Sequence, residues 1–174
     1  IIVVGDVDVD HIEAQIKTLF ADIKVPADAA KVIPEQVSPN DTAIYVVDKD
    51  KEQQFDLFLI NMKHKAIPDE MKVNMDYLLM KYMDNALTLM LNTRFSEKAQ
   101  EPDCPYLQAV GDNGDYLMSR TCGAYTLTGL AKEGQVKEAY AAVLREAKRA
   151  HDFGFTATEY QRAKDEIKSQ IEKS

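Results

Sequence analysis

Short apolar runs rich in β-branched residues alternate along this chain with apolar stripes at helical spacing, and this alternation restricts the fold more than any other feature. Runs of about four to eight apolar residues predict strands, and a 3.6-residue period predicts helices. The predicted order is strand and helix, two strands, a long helix, two strands, and two helices. Because strands that follow each other directly favour antiparallel pairing, we expect an α+β domain with a mostly antiparallel sheet and helices packed on one face.

The first twenty residues predict a strand, a turn and a helix in close succession. Ile1–Val4 is apolar and β-branched, Gly5 interrupts it, and Asp8 is a suitable helix N-cap. One apolar stripe follows on the helix, formed by Ile12, Ile16, Leu19, Phe20 and Ile23. A buried strand rarely opens a natural chain, so we expect residues 1–174 to be a single domain of a larger protein.

Four further segments predict strands: Ala43–Val47, Gln54–Met62, Tyr106–Val110 and Leu117–Leu130. Gln54–Met62 is mostly apolar, which favours the centre of the sheet. The last two segments are expected to form a hairpin around Asn113-Gly114. Cys104 and Cys122 lie on either side of that turn and would face each other across a three-residue loop. Both a cross-strand disulfide and two buried free thiols are consistent with this spacing.

The remaining segments predict helices. The longest runs from Pro68 to about Leu91 and is rich in Met, Leu and Tyr on several sides, which predicts a buried core helix; the alternative is a Met-rich binding groove. Asn92–Gln100 is expected to be a polar connection or a short helix. Two helices then close the chain, with Gly154 as a C-cap between them and Thr156–Glu159 as a capping box.

Composition excludes several classes of function. The formal net charge of −8 and the pI of about 4.9 argue against nucleic acid or an anionic membrane as the main partner, because both are polyanions. No apolar run approaches the roughly 20 residues needed to span a bilayer, so we expect no membrane insertion. Two cysteines do not make a metal site or a disulfide framework.

The residues that could carry chemistry do not form a recognisable active site. Asp6, Asp8 and Asp10 suggest a calcium loop, but His11 and Lys17 stand where such a loop needs Gly and Glu, and helix capping explains the acids. The three histidines are isolated in the sequence: His11, His64 and His151. There is no nucleophile elbow, phosphate-binding loop or dinucleotide fingerprint. We therefore expect no catalytic residue and no metal ligand in this chain.

Four segments, in the right order and over essentially the whole chain, resemble the second domain of a half-unit in the pitrilysin/insulinase family of zinc metallopeptidases. They are the "strand, GDxD, helix" opening at Val4–Asp8, Gln53-Gln54 before an apolar strand, the stretch Asn92–Tyr106, and Phe155–Tyr160 before the last helix. The Asn-Thr-Arg…Ala-Gln…Pro-Asp variant is similar to bacterial members. The resemblance implies the α+β fold of the metallopeptidase and mitochondrial processing peptidase domains.

The resemblance also implies a function for the larger protein. Members of this family enclose unfolded peptides in a chamber and hold zinc in the first domain through an inverted His-x-x-Glu-His motif. That motif is absent here, so the resemblance implies a non-catalytic chamber domain without a cofactor of its own, with other domains of the parent chain as partners. The alternative is a structural subunit of the same fold without peptidase activity, like the respiratory-complex core proteins.

One position bears on substrate contact. In the family's second half, an Arg and a Tyr grip the substrate; Tyr106 matches the Tyr, but Gln100 stands in place of the Arg. Tyr106 is therefore the single candidate substrate-binding residue, with a packed aromatic as the alternative. The Gln favours the second domain of the first half. Bacterial relatives favour the periplasm or cell envelope, and the cytoplasm is the alternative.

Overall fold

The computed structural model describes residues 1–173, which fall into two compact units, Ile1–Ile33 and the chain from Pro34 onward. The first unit contains helix α1, Val9–Leu19. The Asp8 carboxylate accepts a hydrogen bond of 2.9 Å from the His11 N–H, which confirms the predicted N-cap. Only two residues of α1, Ile12 and Ile16, are half-buried, and none is fully buried.

Two predicted strands are wrong. Residues 1–4 and 43–47 form no strand, and five of them are more than four-fifths exposed: Ile2, Val4, Tyr45, Val46 and Val47. A strand exists only when its backbone groups pair with a neighbouring strand, whatever the β-propensity of its residues. Neither segment has such a pairing in the part of the chain that the structure describes.

The second unit is built on a three-stranded antiparallel sheet in the order β1-β3-β2. Its strands are β1, Asp56–Lys65; β2, Tyr106–Asp115; and β3, Cys122–Ala131. The register pairs Asp56 with Ala131 on one side of β3 and Tyr106 with Ala131 on the other, with a bulge between Tyr106 and Gln108. This sheet and the helices confirm the predicted α+β fold.

The central position expected for the segment Gln54–Met62 is wrong, because β1 lies at the edge of the sheet. Its apolar run reflects two apolar faces rather than two neighbouring strands. Phe58 is buried and Ile60 is half-buried towards the helices, whereas Leu57 and Leu59 are about half exposed on the opposite face. Periodicity alone does not separate these two situations.

The turn of the hairpin also differs from the prediction. Asn113 and Gly114 lie inside β2, and the chain reverses through Tyr116–Met118. Leu117 and Met118 have positive φ angles of 46° and 66°. Non-glycine residues rarely adopt this conformation, so no sequence rule places the turn there.

The hairpin register excludes the cross-strand disulfide. Cys122 begins β3 opposite Lys65, whereas Cys104 precedes Tyr106, which pairs with the last residue of β3. The two cysteines are therefore separated by the length of a ten-residue strand, about 30 Å, far beyond the 4.4 to 6.8 Å between Cα atoms that a disulfide needs. Both are buried free thiols.

The long helix α2 spans Met75–Ala99, with Asn74 as its N-cap. Pro68 precedes a separate 3₁₀ turn, Asp69–Met71, so the helix begins later than predicted. It also continues to Ala99, through most of the segment Asn92–Gln100 that was expected to be a polar connection or a short helix. The expected burial is wrong for its first half, where most of the large apolar side chains are exposed.

Helices α3, Val136–Phe153, and α4, Ala157–Lys173, match the predicted pattern closely. Gly154 ends α3 with a φ of +70°. The capping box forms, because Glu159 accepts from the Thr156 N–H at 2.6 Å and the Thr156 hydroxyl accepts from the Glu159 N–H at 3.2 Å.

The core lies between the sheet and helices α2 and α3. Its largest fully buried side chains are Phe95, Tyr106, Leu127 and Val143. Phe58 packs edge-on against Tyr140 with ring centroids 5.6 Å apart. The Phe58 ring lies directly over Gly129, where an added Cβ would come within 2.1 Å of Phe58 Cζ.

Candidate functional site

Tyr106 is fully buried at the start of β2. Its hydroxyl donates a hydrogen bond of 3.1 Å to the Phe95 carbonyl, so the polar end of the side chain is already satisfied. Burial raises the pKa of Tyr106 well above its usual range, and the nearby Cys104 adds to the shift. The side chain thus has the packing of a core aromatic, and the substrate contact stays a prediction.

The most connected polar group in the described residues is the Arg94 guanidinium on α2. It makes a bidentate pair with Glu159 on α4, with Nε–Oε1 at 2.5 Å and Nη2–Oε2 at 3.0 Å. It also donates to the Gly154 carbonyl at 3.1 Å and lies 3.5 Å from Glu146 on α3. Its Cζ sits 4.4 Å from the centroid of the Phe155 ring, a cation–π contact. One side chain therefore joins three helices.

This cluster is nearly closed to solvent. The side chains of Arg94 and Glu146 are 10% and 11% exposed, and that of Glu159 is 24% exposed. The hydrogen bonds from Arg94, assisted by those of Thr156, lower the pKa of Glu159 to about 2. Arg149 gives Glu146 a second cationic partner at 2.7 Å. Every charge is compensated, so the cluster holds helices together rather than offering a free acid or base.

Sequence reasoning identified Glu159 as a cap and quoted Arg94 only as part of a motif. Glu146 was missed, although a signal for it exists. It shares the buried side of α3 with Ala139, Ala142 and Val143. An acid at a buried helical position nearly always has a cationic partner, which would have predicted an ion pair here.

A groove of about 380 Å³ lies between α2 and α3 beside this cluster, and charged side chains line it. Besides Arg94 and Glu146 they are Glu97, Lys98, Glu101, Arg145 and Arg149. None of the hydrogen bonds within residues 1–173 joins a hydroxyl or thiol side chain to a histidine, as nucleophilic catalysis would require. The groove has the chemistry of a solvated ion-pair surface.

The acidic residues near the start of the chain do not converge. Asp8 is used as a helix cap, and the structure does not bring Asp6 and Asp10 together with it as a ligand set. Within the described residues, no three His, Cys, Asp or Glu side chains lie close enough to hold a metal ion. The residues present therefore do not fit the zinc that the resemblance implies for the larger protein.

Two exposed apolar surfaces remain. The α2 stripe consists of Met75, Leu79, Met83 and Leu87, which are 75%, 58%, 59% and 44% exposed and follow an i, i+4 spacing. The open sheet face is the side of the sheet away from the core, where Leu57, Leu59, Val110 and Leu130 form its apolar end. Apolar side chains clustered in this way mark surfaces that bind something.

The two edges of the sheet differ. Asn92 on α2 covers the outer edge of β2, because its amide donates to the Gly111 carbonyl at 2.9 Å and accepts from the Gly111 N–H at 2.7 Å. The outer edge of β1 pairs with no strand in the described part of the chain. No helix in that part is long and apolar enough to cross a membrane.

The comparisons with known proteins agree with this architecture. The family described as "Peptidase M16 inactive domain" matches residues 1–167. The chain belongs to this family of domains, which occur in the pitrilysin/insulinase peptidases. The match confirms the resemblance found in the sequence. No curated protein matches the sequence at a significant level.

Solved structures show the same fold at low identity. The periplasmic protease PqqL from Escherichia coli is 17% identical with a TM-score of 0.67, over 97% of this chain and 18% of PqqL. The first half of PqqL is 16% identical to this chain with a TM-score of 0.64. A predicted insulinase family protease from Yersinia pestis is 16% identical with a TM-score of 0.69. Each of these two is covered over 35% of its length, with 97% of this chain aligned. The chain thus spans only a fifth to a third of these proteins.

Proposed function

We propose that this chain is a non-catalytic domain of a zinc metallopeptidase, where it forms part of the wall of a chamber for unfolded peptides. The observation that carries the proposal is the pair of exposed apolar surfaces, since the wall of a chamber acts through what it contacts. The family description, an inactive peptidase domain, and the protease neighbours support this role.

The α2 stripe is suited to another domain of the same protein. Its large, flexible side chains form one continuous row on a regular helix, the arrangement by which helices bury apolar surface against each other. The structural neighbours are longer chains, of which this domain corresponds to a part. We assign the stripe to contact with the remaining domains.

The open sheet face is suited to an extended peptide. Leucines and Val110 occupy the exposed end, and the Asn61–Thr126 hydrogen bond of 2.9 Å lies in the middle. Residues 35–38 lie near the other end, where Lys63 donates to the Ser38 carbonyl at 2.7 Å. Apolar and polar positions on one flat surface accept varied side chains without selecting a sequence. Such a surface fits the mixed composition of unfolded peptides.

Binding of a fluorescently labelled unfolded peptide to this chain tests the wall function. We expect Leu59→Asp to weaken binding about tenfold, because the side chain covered by the peptide becomes charged. Phe153→Asp is the matched control, since Phe153 is 84% exposed at the end of α3 and lies off the sheet. Equal affinities of the two variants would contradict the assignment of the open face.

Zinc measurement tests the assignment of chemistry. We expect the purified chain to hydrolyse no peptide and to carry no stoichiometric zinc in mass spectrometry. The full gene product, in contrast, should hydrolyse peptides and carry stoichiometric zinc. The zinc motif is expected about 150–200 residues ahead of Ile1, in one further domain. A parent without His-x-x-Glu-His would leave a structural or assembly subunit as the function.

The same comparisons support a proposal on the location of the protein. PqqL is described as periplasmic, and we propose the cell envelope for the present protein as well. Fractionation of cells that express the full gene product, with a periplasmic and a cytoplasmic marker, tests the proposal. Recovery with the cytoplasmic marker would overturn it.

A further inference from the structure

The outer edge of β1 and residues 43–47 (the strap) both lack a strand partner within the described residues 1–173. The strap is apolar and largely β-branched, and its residues from Ile44 to Val47 are between 73% and 96% exposed. An unpaired sheet edge presents a row of N–H and C=O groups to which an extended segment can bind. The edge and the strap are therefore complementary in chemistry.

The chain on either side of the strap is held at opposite ends of β1. Before the strap, the Ser38 carbonyl accepts a hydrogen bond of 2.7 Å from Lys63 Nζ, near the last residue of β1. After the strap, the Gln53 N–H donates to the Asp50 carbonyl at 3.3 Å, in a turn just ahead of the first residue of β1. The chain thus travels from one end of β1 to the other in the opposite direction, as an antiparallel neighbour must.

The turn fixes the register of such a pair. Its two central residues form a two-residue loop, and equal steps away from this loop along both strands set Val46 opposite Leu57. The same steps set Ser38 opposite Lys65, within reach of the Lys63 side chain that already binds it. The two anchored ends therefore agree on one register.

This register places apolar side chains beside each other on both faces of the sheet. Two residues beyond the first pair, Ile44 lies opposite Leu59, and both pairs are on the open sheet face. Leu57 and Leu59 are about half exposed in the structure, so each gains an apolar neighbour. On the core side, Tyr45 lies opposite Phe58.

The backbone of β1 offers its groups at the matching positions. Gly111 on β2 faces the core, where an added Cβ would meet the Leu127 side chain at 3.3 Å, and its N–H and C=O point outward to Asn92. Since β1 runs parallel to β2 on the other side of β3, its core-facing residues turn their backbone groups inward to β3. Leu57 and Leu59 face the other way and turn theirs to the outer edge. They are also the bonded positions in the register, because bonded pairs recur at every second residue from the turn.

We propose that residues 43–47 close onto the outer edge of β1 as a fourth strand, with backbone hydrogen bonds between Val46 and Leu57 and between Ile44 and Leu59. The closed strap occupies an edge that is otherwise open to a strand from another chain. It also enlarges the open sheet face by the side chains of Ile44 and Val46, a consequence that rests on the proposed function.

Hydrogen exchange of this chain in solution tests the strap. When the strap is closed, the N–H groups of Ile44 and Val46 point to β1. Those of Tyr45 and Val47 point to solvent. After correction for intrinsic rates, we expect the first two amides to exchange at least about tenfold more slowly than the other two. Equal exchange at all four positions would overturn the proposal.

Two proline substitutions provide a matched pair of variants. Proline has no N–H, so Val46→Pro removes a bond to β1, whereas Val47→Pro removes a group that faces solvent. Both side chains are more than four-fifths exposed, so neither change disturbs the core. We expect Val46→Pro to speed exchange of the Leu57 amide at least about tenfold, and Val47→Pro to speed it less than about threefold. Equal effects of the two variants would contradict the register and overturn the proposal.

Other occupants of the edge give different results. Protection of the Leu57 and Leu59 amides that rises with protein concentration, without protection of Ile44 and Val46, would assign the edge to a second copy and overturn the proposal. Protection of the leucine amides only after addition of the labelled unfolded peptide would assign it to the peptide and overturn the proposal as well. The strap is tested without peptide, so its failure is distinguishable from failure of the wall function, which is measured by peptide binding.

Discussion

At the scale of single residues, Arg94 is the group on which the helical layer depends. It makes four hydrogen bonds: two to the Glu159 carboxylate and one to the Gly154 carbonyl, where α3 ends and α4 begins, and one to Glu146 within α3. A Lys at this position would present a point charge and would lose the bidentate contact. The turn between the last two helices is therefore fixed by a side chain that lies far away in sequence.

Replacing Arg94 by Met tests this dependence. The substitution keeps an unbranched apolar stem but leaves the Glu159 carboxylate and the Gly154 carbonyl without the guanidinium donors. We expect a loss of about 3 kcal/mol in the free energy of unfolding, measured by urea denaturation. Lys148→Met, which breaks the exposed pair with Asp152, should cost less than about 0.5 kcal/mol. Similar costs for both would show that Arg94 acts as a surface charge.

The Arg94–Glu159 pair predicts that the stability of the protein falls in acid. The folded-state pKa of Glu159 is lowered from 4.5 to about 2, with the hydrogen bonds from Arg94 as the largest cause. A depressed pKa contributes stability that is fully present above the unfolded value and is lost as the pH falls through the folded value. We therefore expect stability to decline between about pH 4.5 and pH 2.

Thermal unfolding across that range, compared with Glu159→Gln, provides the measurement. The amide does not titrate, so the variant should start from a lower melting temperature and lose less of it as the pH falls. Parallel declines in both proteins would assign the acid sensitivity to other carboxylates.

At the scale of elements, the sequence predicted the helices better than the sheet. Gly154 and the capping box act within a few residues of each other, so local rules placed α3 and α4 correctly. The family resemblance supplied the fold class as well. Strand position, in contrast, depends on partners distant in sequence, which is why β1 was wrongly expected in the centre.

The misplaced turn has a similar cause. Asn113-Gly114 has strong turn propensity, but the Asn113 side chain bonds His64 and Asp84, and β2 continues through it. The core position of Tyr106 also depends on distant packing, although its sequence position gave both alternatives. Arg94, Glu146 and Asn92 were not predicted, because their partners lie on other elements.

Asn92 offers a test at this scale. Its amide takes the place of a neighbouring strand by bonding both backbone groups of buried Gly111. We expect Asn92→Ala to cost about 2 kcal/mol of unfolding free energy, because two buried backbone groups lose their partner. Asn85→Ala on the exposed side of the same helix should stay within about 0.5 kcal/mol.

Hydrogen exchange at the Gly111 amide separates the two effects of Asn92→Ala. Loss of the amide partner should raise exchange at Gly111 more than at Leu127, its neighbour on β3. Equal increases at both positions would mean that the variant only destabilises the whole unit.

At the scale of the molecule, a few polar side chains of the described residues join separate elements, while many large apolar side chains stay exposed. Arg94, Asn92 and His64 each join separate elements through hydrogen bonds. Large apolar side chains on α2 and on the open sheet face remain uncovered. This distribution agrees with a family described as an inactive peptidase domain.

The α2 stripe gives the last prediction, which concerns association with the rest of the protein. Leu79 and Met83 are more than half exposed, so Leu79→Ser with Met83→Ser should change the stability of this chain by no more than about 1 kcal/mol. If the stripe packs against a neighbouring domain, the same change should weaken association with the separately produced remainder of the gene product at least tenfold, by an estimate of about 1.5 kcal/mol per buried side chain. Isothermal titration calorimetry measures the association, and Phe153→Ser is the control for a still more exposed apolar residue on another helix. Weakening by Phe153→Ser but not by the double variant would move the interface from α2 to the end of α3.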